Sequence, residues 1–274
     1  MDAYDFSGKT AIVTGAAGGL GSAMALALSN AGATVVAMDV SEEYLAKRYD
    51  DAVTKHQISI HPFCGDIGDY DSVKKTICFA KKFNGRIDIL VNNAGIGPAI
   101  MEASPYTKSM RFWEADRDIW LETLRINVCG TYNMSREVTP IMIDQHWGRI
   151  INVSTSLVTM QRSLGSPYGV SKAAIEAETL IWAKDLDGSG VTVNSLLPGG
   201  AVDTNFLPDD ARRKAASGEM VLLQPIVMIN PLLWLCSSIA DNVSGKRFVA
   251  NRWDSNALSD AAAFDSEEPF IPHY

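Results

Sequence analysis

Tyr168 and Lys172 stand four residues apart at the start of a helical stretch, Tyr168-Gly-Val-Ser-Lys172-Ala-Ala-Ile, so both side chains project from one helix face. A phenol with a reference pKa of about 10 is a poor base, but a neighbouring ammonium stabilises the phenolate and brings it into a useful range. Tyr168 can then exchange a proton with a substrate hydroxyl. Upstream, Arg149–Val153 reads as a strand that delivers Ser154, Thr155 and Ser156 to the same edge. A hydroxyl there can hydrogen-bond the reacting oxygen and stabilise its charge, and each of the three can equally serve as a cap at the strand end.

A second set of residues suits a dinucleotide. Thr14-Gly15-Ala16-Ala17-Gly18-Gly19-Leu20-Gly21 follows the first apolar run and leads directly into a helical stretch. Glycines let the backbone turn tightly and approach a pyrophosphate, while a helix N-terminus offers free N–H groups and partial positive charge to the anion. The next strand ends in Asp39, at the separation where an acid binds the adenosine ribose hydroxyls. A carboxylate there repels a 2′-phosphate, and no Lys or Arg stands at Ala16, Ala17, Gly18 or Val40 to neutralise one. The expected cofactor is therefore NAD(H) rather than NADP(H). Asp39 also stands where a helix N-terminal cap would, before Ser41–Glu43.

These residues need a scaffold, and the sequence supplies an alternation. Thr10–Val13, Thr34–Met38, Ile58–Phe63, Ile87–Val91, Arg149–Val153 and Val191–Leu196 are short β-branched runs without polar alternation, as buried parallel strands require. Between them, Gly21–Asn30, Asp71–Phe83, Trp120–Met142 and Tyr168–Leu186 repeat apolar residues every three to four positions, as crossover helices do. The expectation is one α/β domain over 1–274, a Rossmann-type doubly wound parallel sheet with ligands beyond the carboxyl ends of its strands. Residues 96–118 and 205–229 break the rhythm and are candidate substrate loops. Residues 255–274 are acidic and weakly patterned, which predicts an extended, solvated tail.

Composition narrows the partners. The chain has 274 residues, 47% hydrophobic and 20% charged, with a net charge of −8 and a pI near 5.0. That balance argues against nucleic acid or an anionic membrane as partner and favours a small molecule. Met1 to Lys9 carries two acidic residues and no apolar run, so a secretory signal is not expected and a cytoplasmic location is. Leu222–Cys236 is broken by Gln224, Pro225, Asn230 and Pro231, too short to span a bilayer, and reads as core and pocket wall. Cys64, Cys78, Cys129 and Cys236 form no C-x-x-C pair and read as reduced, buried thiols; His56, His61, His146 and His273 show no ligand spacing, so no metal is expected.

Taken together, these motifs resemble the short-chain dehydrogenase/reductase family over nearly the whole chain. Thr14-Gly15-x-x-x-Gly19-x-Gly21 resembles the family's cofactor loop, Asp66 its adenine-contacting acid, Asn92-Asn93-Ala94-Gly95 its motif after the fourth strand and Asn127 its helix asparagine, with Tyr168-x-x-x-Lys172 and Pro198-Gly199 completing the set. The resemblance implies an enzyme that interconverts a secondary alcohol and a ketone. Tyr168 would be its general acid/base, Lys172 would hold the nicotinamide ribose and lower the tyrosine pKa, and Asn127 would position a proton-relay water. It implies a dinucleotide along Leu20, Val40, Ile67, Asn93, Ala94 and Gly95, with Pro198, Gly199, Val202 and Thr204 at the nicotinamide end. It also implies a homo-oligomer, tetramer or dimer. Thirteen residues before Tyr168, the family's usual spacing for its catalytic serine, stands Thr155, with Ser156 one residue on; both remain candidates. The family's Gly-rich end of the last strand is replaced by Phe248-Val249-Ala250-Asn251-Arg252-Trp253.

For the substrate, Ile96, Met101, Tyr106, Met110, Phe112, Trp113, Phe206 and Leu207 suit an apolar or cyclic compound, or simply pack their loops down. Arg162, beside Gln161, can receive a substrate carboxylate. A second reading is a catalytically silent dinucleotide sensor or scaffold, which the fold alone does not exclude. The proton-transfer set speaks against it. An epimerase or dehydratase of the extended relatives is disfavoured by the loop spacing and the short C-terminal part.

Overall fold

The computed structural model describes residues 4–55, 59–97, 111–207 and 209–270. The element order is β1 (Thr10–Thr14), α1 (Gly19–Asn30), β2 (Thr34–Asp39), α2 (Glu42–Lys55), β3 (Ile60–Cys64), α3 (Tyr70–Asn84), β4 (Ile89–Asn92), α4 (Arg117–Leu124), a π turn (Arg125–Gly130) and α5 (Thr131–Asp144). There follow β5 (Gly148–Val153), α6 (Leu157–Met160), α7 (Tyr168–Asp185), β6 (Val191–Leu197), α8 (Asp209–Ala216), α9 (Ile229–Cys236), β7 (Arg247–Val249) and α10 (Ser259–Ser266). The seven strands form one sheet in the order β3-β2-β1-β4-β5-β6-β7, and every ladder is parallel. Chain order reverses between β1 and β4, which opens a crevice above their carboxyl ends.

The strands lack polar alternation because both faces are covered. Ala11 and Val13 of β1 join one core with Met24 and Leu28 of α1 and Leu232 and Leu235 of α9. Ile12, one residue between them, points into the other core with Val73 and Ile77 of α3 and Met134 and Val138 of α5. Successive strand residues therefore feed opposite layers. Leu222–Cys236 ends in α9, part of the first core, as a core segment should. At one edge of the sheet, among the described residues, β3 pairs with β2 alone, setting Pro62 opposite Ala37.

The structure corrects several expectations. The segment read as one helix, Trp120–Met142, is two helices around the π turn. A π turn inserts an extra residue, which the apolar period passes over. The strand expected from Ile87 begins at Ile89, because the Gln145 side chain takes both backbone groups of Ile87, accepting its N–H at 3.1 Å and donating to its carbonyl at 2.8 Å. Ile58 lies outside the described residues, and β3 runs Ile60–Cys64, ending one residue beyond the expected Phe63. Residues 255–274 are not an extended tail over the described part. They fold into α10, burying Ala262, Ala263 and Ser266, and Glu267 then bridges antiparallel to Phe248. Three of the cysteines expected to be buried, Cys64, Cys78 and Cys129, are exposed; all four are free thiols, and burial pushes Cys236 up to about 12. Among the described residues no helix is long and apolar enough to cross a membrane.

Candidate active site

At the end of β1, Gly15 adopts a φ of +64°, and a Cβ on Gly21 would lie 2.2 Å from the Gly15 carbonyl oxygen. Glycine is required at both positions, one for its backbone conformation and one for its close approach. Asn93, just beyond β4, braces this loop: its Nδ2 donates to the carbonyls of Thr14 at 2.9 Å and Gly15 at 3.1 Å, and Thr14 Oγ1 accepts from the N–H groups of Asn93 and Ala94, both at 3.0 Å. Helix α1 then starts at Gly19 with no side-chain cap and no acidic residue in its first turn. Its leading N–H groups are thus left for an external anion. Thr204 closes over them, its γ-methyl 2.5 Å from the place a Gly19 Cβ would take.

At the far rim, Asp39 accepts from Ala17 N–H at 3.0 Å and Ser41 N–H at 3.2 Å, so the carboxylate is tied to the phosphate loop as well as to the start of the next helix. Val40 beside it is 70% exposed. Asp66 accepts from Gly68 N–H at 2.8 Å and pairs with Arg125 at 3.0 Å, while Ile67 is buried. A cradle of bare glycines at a helix N-terminus, with a carboxylate one strand away, fits a pyrophosphate and a ribose diol.

The reacting end lies above β4, β5 and β6. Tyr168 opens α7 and is buried, with the Phe206 ring 5.8 Å away between centroids. Burial pushes its phenol up to about 12, with the Thr155 side chain pulling the other way, so the lowering expected from Lys172 is outweighed by desolvation. Lys172 is buried one turn later, donates to the Val153 carbonyl at 2.8 Å, and sits 5.8 Å from the Tyr168 ring centroid. Burial lowers it to about 8, with Glu176 acting the other way. Asn127, turned inward by the π turn, is fully buried. It accepts from Ile96 N–H at 2.7 Å and donates to the Ile96 carbonyl at 3.0 Å and Ser171 Oγ at 2.9 Å. Gly95 lies against it: a Cβ there would be 3.1 Å from Asn127 Oδ1 and 3.8 Å from Lys172 Nζ.

The two hydroxyl candidates differ in their surroundings. Ser156 caps α6, its Oγ accepting from Thr159 N–H at 3.2 Å and meeting Thr159 Oγ1 at 2.9 Å, whereas the Thr155 side chain acts to lower the Tyr168 phenol. Beyond β6, Gly199 has a φ of +86° and a Cβ there would strike Asn251 Oδ1 at 2.0 Å. Pro198 accepts from Asn251 N–H at 3.1 Å. Val202 bridges to Leu223, which anchors the segment carrying Thr204. Leu20 packs half-buried on the first core. Arg162 is exposed, as are Phe112 and Trp113, at 72% and 64%. Met101, Tyr106 and Met110 lie outside the described residues.

Sequence reasoning missed a buried polar cluster behind Thr155. Ser154 Oγ donates to Glu176 at 2.8 Å, and Arg247 Nε donates to the same carboxylate oxygen at 2.7 Å. An Arg at the head of the apolar run of β7, and a Glu one turn after Lys172, were the available signals.

The short chain dehydrogenase family model matches residues 9–214, the span that holds the glycine loop, Asn127, Thr155, Tyr168 and Lys172. The chain belongs to the short chain dehydrogenase family. It is similar to the 3-oxoacyl-[acyl-carrier-protein] reductase FabG of Thermotoga maritima, 32% identical over 247 residues, covering 87% of this chain and 94% of that one. It is also similar to nodulation protein G of Azospirillum brasilense, 30% identical over 249 residues, 89% and 97% of the two chains. The oxidoreductase UcpA of Salmonella typhimurium is 34% identical over 194 residues, 70% of this chain and 69% of that one. A short chain dehydrogenase is an oxidoreductase that uses a nicotinamide dinucleotide on a small-molecule substrate, and the glycine cradle is where such a dinucleotide fits.

Proposed function

We propose that this chain interconverts a ketone and a secondary alcohol with NAD(H), using Tyr168 as the proton-transfer residue. The observation that carries the reading is the buried set of Tyr168, Lys172 and Asn127, with the Lys172 ammonium fixed on the Val153 carbonyl at 2.8 Å and 5.8 Å from the Tyr168 ring centroid. When bound, the nicotinamide supplies or accepts the hydride. Thr155 Oγ1 hydrogen-bonds the substrate oxygen, and Tyr168 Oη gives it a proton in reduction or takes one in oxidation. A phenol pushed up to about 12 is protonated at neutral pH, which suits the reductive direction. Lys172 holds the ribose from the floor of the pocket, and Asn127 keeps Ile96 and Ser171 in place around a proton path. Leu20, Gly95 and Pro198 to Thr204 line the nicotinamide half, and Asp66, Ile67 and Val40 the adenosine half.

Asp39 supports NAD(H), because its carboxylate would lie against a 2′-phosphate. Phe206 over Tyr168 supports a ketone with an apolar flank, and the 3-oxoacyl reductase relatives make β-ketoacyl thioesters good first candidates. Exposed Val170 and Ile181 on α7 support a homo-oligomer. The test follows nicotinamide absorbance with NADH or NADPH and a panel of cyclic, aliphatic and β-ketoacyl ketones. NADH-selective turnover that Tyr168→Phe loses, with dinucleotide still bound, is the expected result. Undiminished turnover in Tyr168→Phe refutes the assignment, and binding without turnover of any ketone or alcohol favours the silent sensor.

A further inference from the structure

One buried guanidinium ties three distant segments to the residue that carries the reacting hydroxyl. Arg247 opens β7 and is fully buried. Its Nε donates to Glu176 on α7 at 2.7 Å, its Nη2 donates to the Thr155 carbonyl at 2.9 Å, and its Nη1 meets the carboxylate of Glu268, just past α10. Arg252 holds the other oxygen of Glu268 at 2.9 Å. Glu176 in turn accepts from Ser154 at 2.8 Å, so residues 154 and 155 are both fastened to one ion pair.

This cluster is poorly arranged for stability alone. Glu176 Oε2 is buried and has no hydrogen-bond partner among the described residues, an uncompensated desolvation cost. Buried ion pairs are commonly matched or bettered in stability by apolar residues of the same volume. What the cluster does uniquely is geometric. The β5–β6 register ends at Val153, and Ser154 N–H makes one further bond to Leu196; Thr155 lies beyond the ladder. The planar fork of Arg247, with donors in fixed directions, fixes that peptide.

We propose that Arg247 is a positioning residue that sets the orientation of Thr155 towards Tyr168, and that the C-terminal segment completes this fastening through Glu268. The proposal rests on the functional reading above for its effect on turnover, but the placement of Thr155 can be read without it. Lys in place of Arg247 keeps the charge against Glu176 and loses the fork. Gln in place of Glu268, at the partly exposed end, keeps the shape and loses the charge, so it tests the idea even if Arg247→Lys fails to fold.

Three readouts are needed on the full chain: thermal unfolding, steady-state kinetics and the NMR signal of a labelled Thr155 methyl, assigned by its loss in Thr155→Val. The expected results are a moved or broadened Thr155 methyl signal in both variants, and a kcat reduced about tenfold or more in Arg247→Lys and several-fold in Glu268→Gln at unchanged KM, as loss of orientation gives. In a Thr155→Val background, Arg247→Lys should reduce kcat no further. An unmoved Thr155 methyl signal in both folded variants, or full additivity with Thr155→Val, overturns the proposal and leaves a structural ion pair. If Tyr168→Phe retains turnover, the functional reading falls, while the methyl signal still decides whether Arg247 positions Thr155.

Discussion

Replacing Thr155 by Val keeps a branched side chain at the end of β5 and removes one hydroxyl, whereas Ser156→Ala removes a hydroxyl of equal chemistry one residue later. The proposed function gives these groups opposite work. Thr155 lowers the Tyr168 phenol and is the proposed partner of the substrate oxygen, so its loss would remove a donor to the oxygen on which charge develops. Deleting one such donor costs about 3–4 kcal/mol of transition-state stabilisation, roughly a 10²–10³-fold loss of kcat. Ser156 instead caps α6 through Thr159 N–H at 3.2 Å. Its loss should cost about 1 kcal/mol of stability, roughly 2–4 °C in Tm for a chain of this size, with little change in kcat. Initial rates with the best ketone from the panel, together with a thermal scan of each variant, give both numbers. If Ser156→Ala abolishes turnover while Thr155→Val stays active, the turn after β5 presents the wrong residue and the assignment of the reacting hydroxyl is refuted.

Asp39→Asn keeps an acceptor for Ala17 N–H and removes the charge, so the NAD+ to NADP+ preference should fall by about tenfold, the effect of roughly 1–2 kcal/mol of relieved repulsion; competitive titration of the two dinucleotides checks it, and an unchanged ratio would place the specificity elsewhere. Gly21→Ala puts a methyl 2.2 Å from the Gly15 carbonyl and should weaken dinucleotide binding by at least about tenfold, as calorimetry would detect; wild-type affinity would mean that the loop does not hold the pyrophosphate. Lys172 has its pKa lowered by burial from 10.5 to about 8. Across that window the unfolded chain holds a proton that the folded chain has released, so stability rises with pH, by about 3 kcal/mol in all. Tyr168 opposes this only above about pH 10, where unfolding lets an ordinary phenol ionise. Denaturant midpoints from pH 7 to 10 should therefore climb in the wild type relative to Lys172→Met, and parallel curves would show that Lys172 is not desolvated.

The family and fold of this protein are more legible in its sequence than the fine placement of its parts. Gly15, Gly19 and Gly21, Asp39, Tyr168 and Lys172 are readable because each answers a local demand, a backbone turn, a charge at a strand end or a shared helix face. The choice between Thr155 and Ser156 is not local; it depends on how the chain leaves β5, where Arg247, about ninety residues away, bonds the Thr155 carbonyl. Residues 255–274 mislead for a related reason. Acidic residues without apolar period read as solvated, yet Glu267 and Glu268 meet Lys246, Arg247 and Arg252, whose charges were visible but whose proximity was not. The π turn at Arg125–Gly130 escapes because one inserted residue leaves the apolar pattern on either side intact.

Pro62 has a meaning for the life of the chain before and after it is folded. Gly65 N–H bonds inward to the Asp39 carbonyl, so by the two-residue alternation of a strand the nitrogens of Phe63 and His61 also face β2, and that of residue 62 faces outward. Proline there leaves the inner ladder complete while deleting a donor from the middle of the sheet's free margin. A sheet rich in Val and Ile invites strand-to-strand growth wherever its edge offers a continuous row of donors and acceptors. This margin is interrupted by a residue that costs the folded molecule nothing, and Pro62→Val would be expected to fold equally well and to turn cloudy sooner on heating.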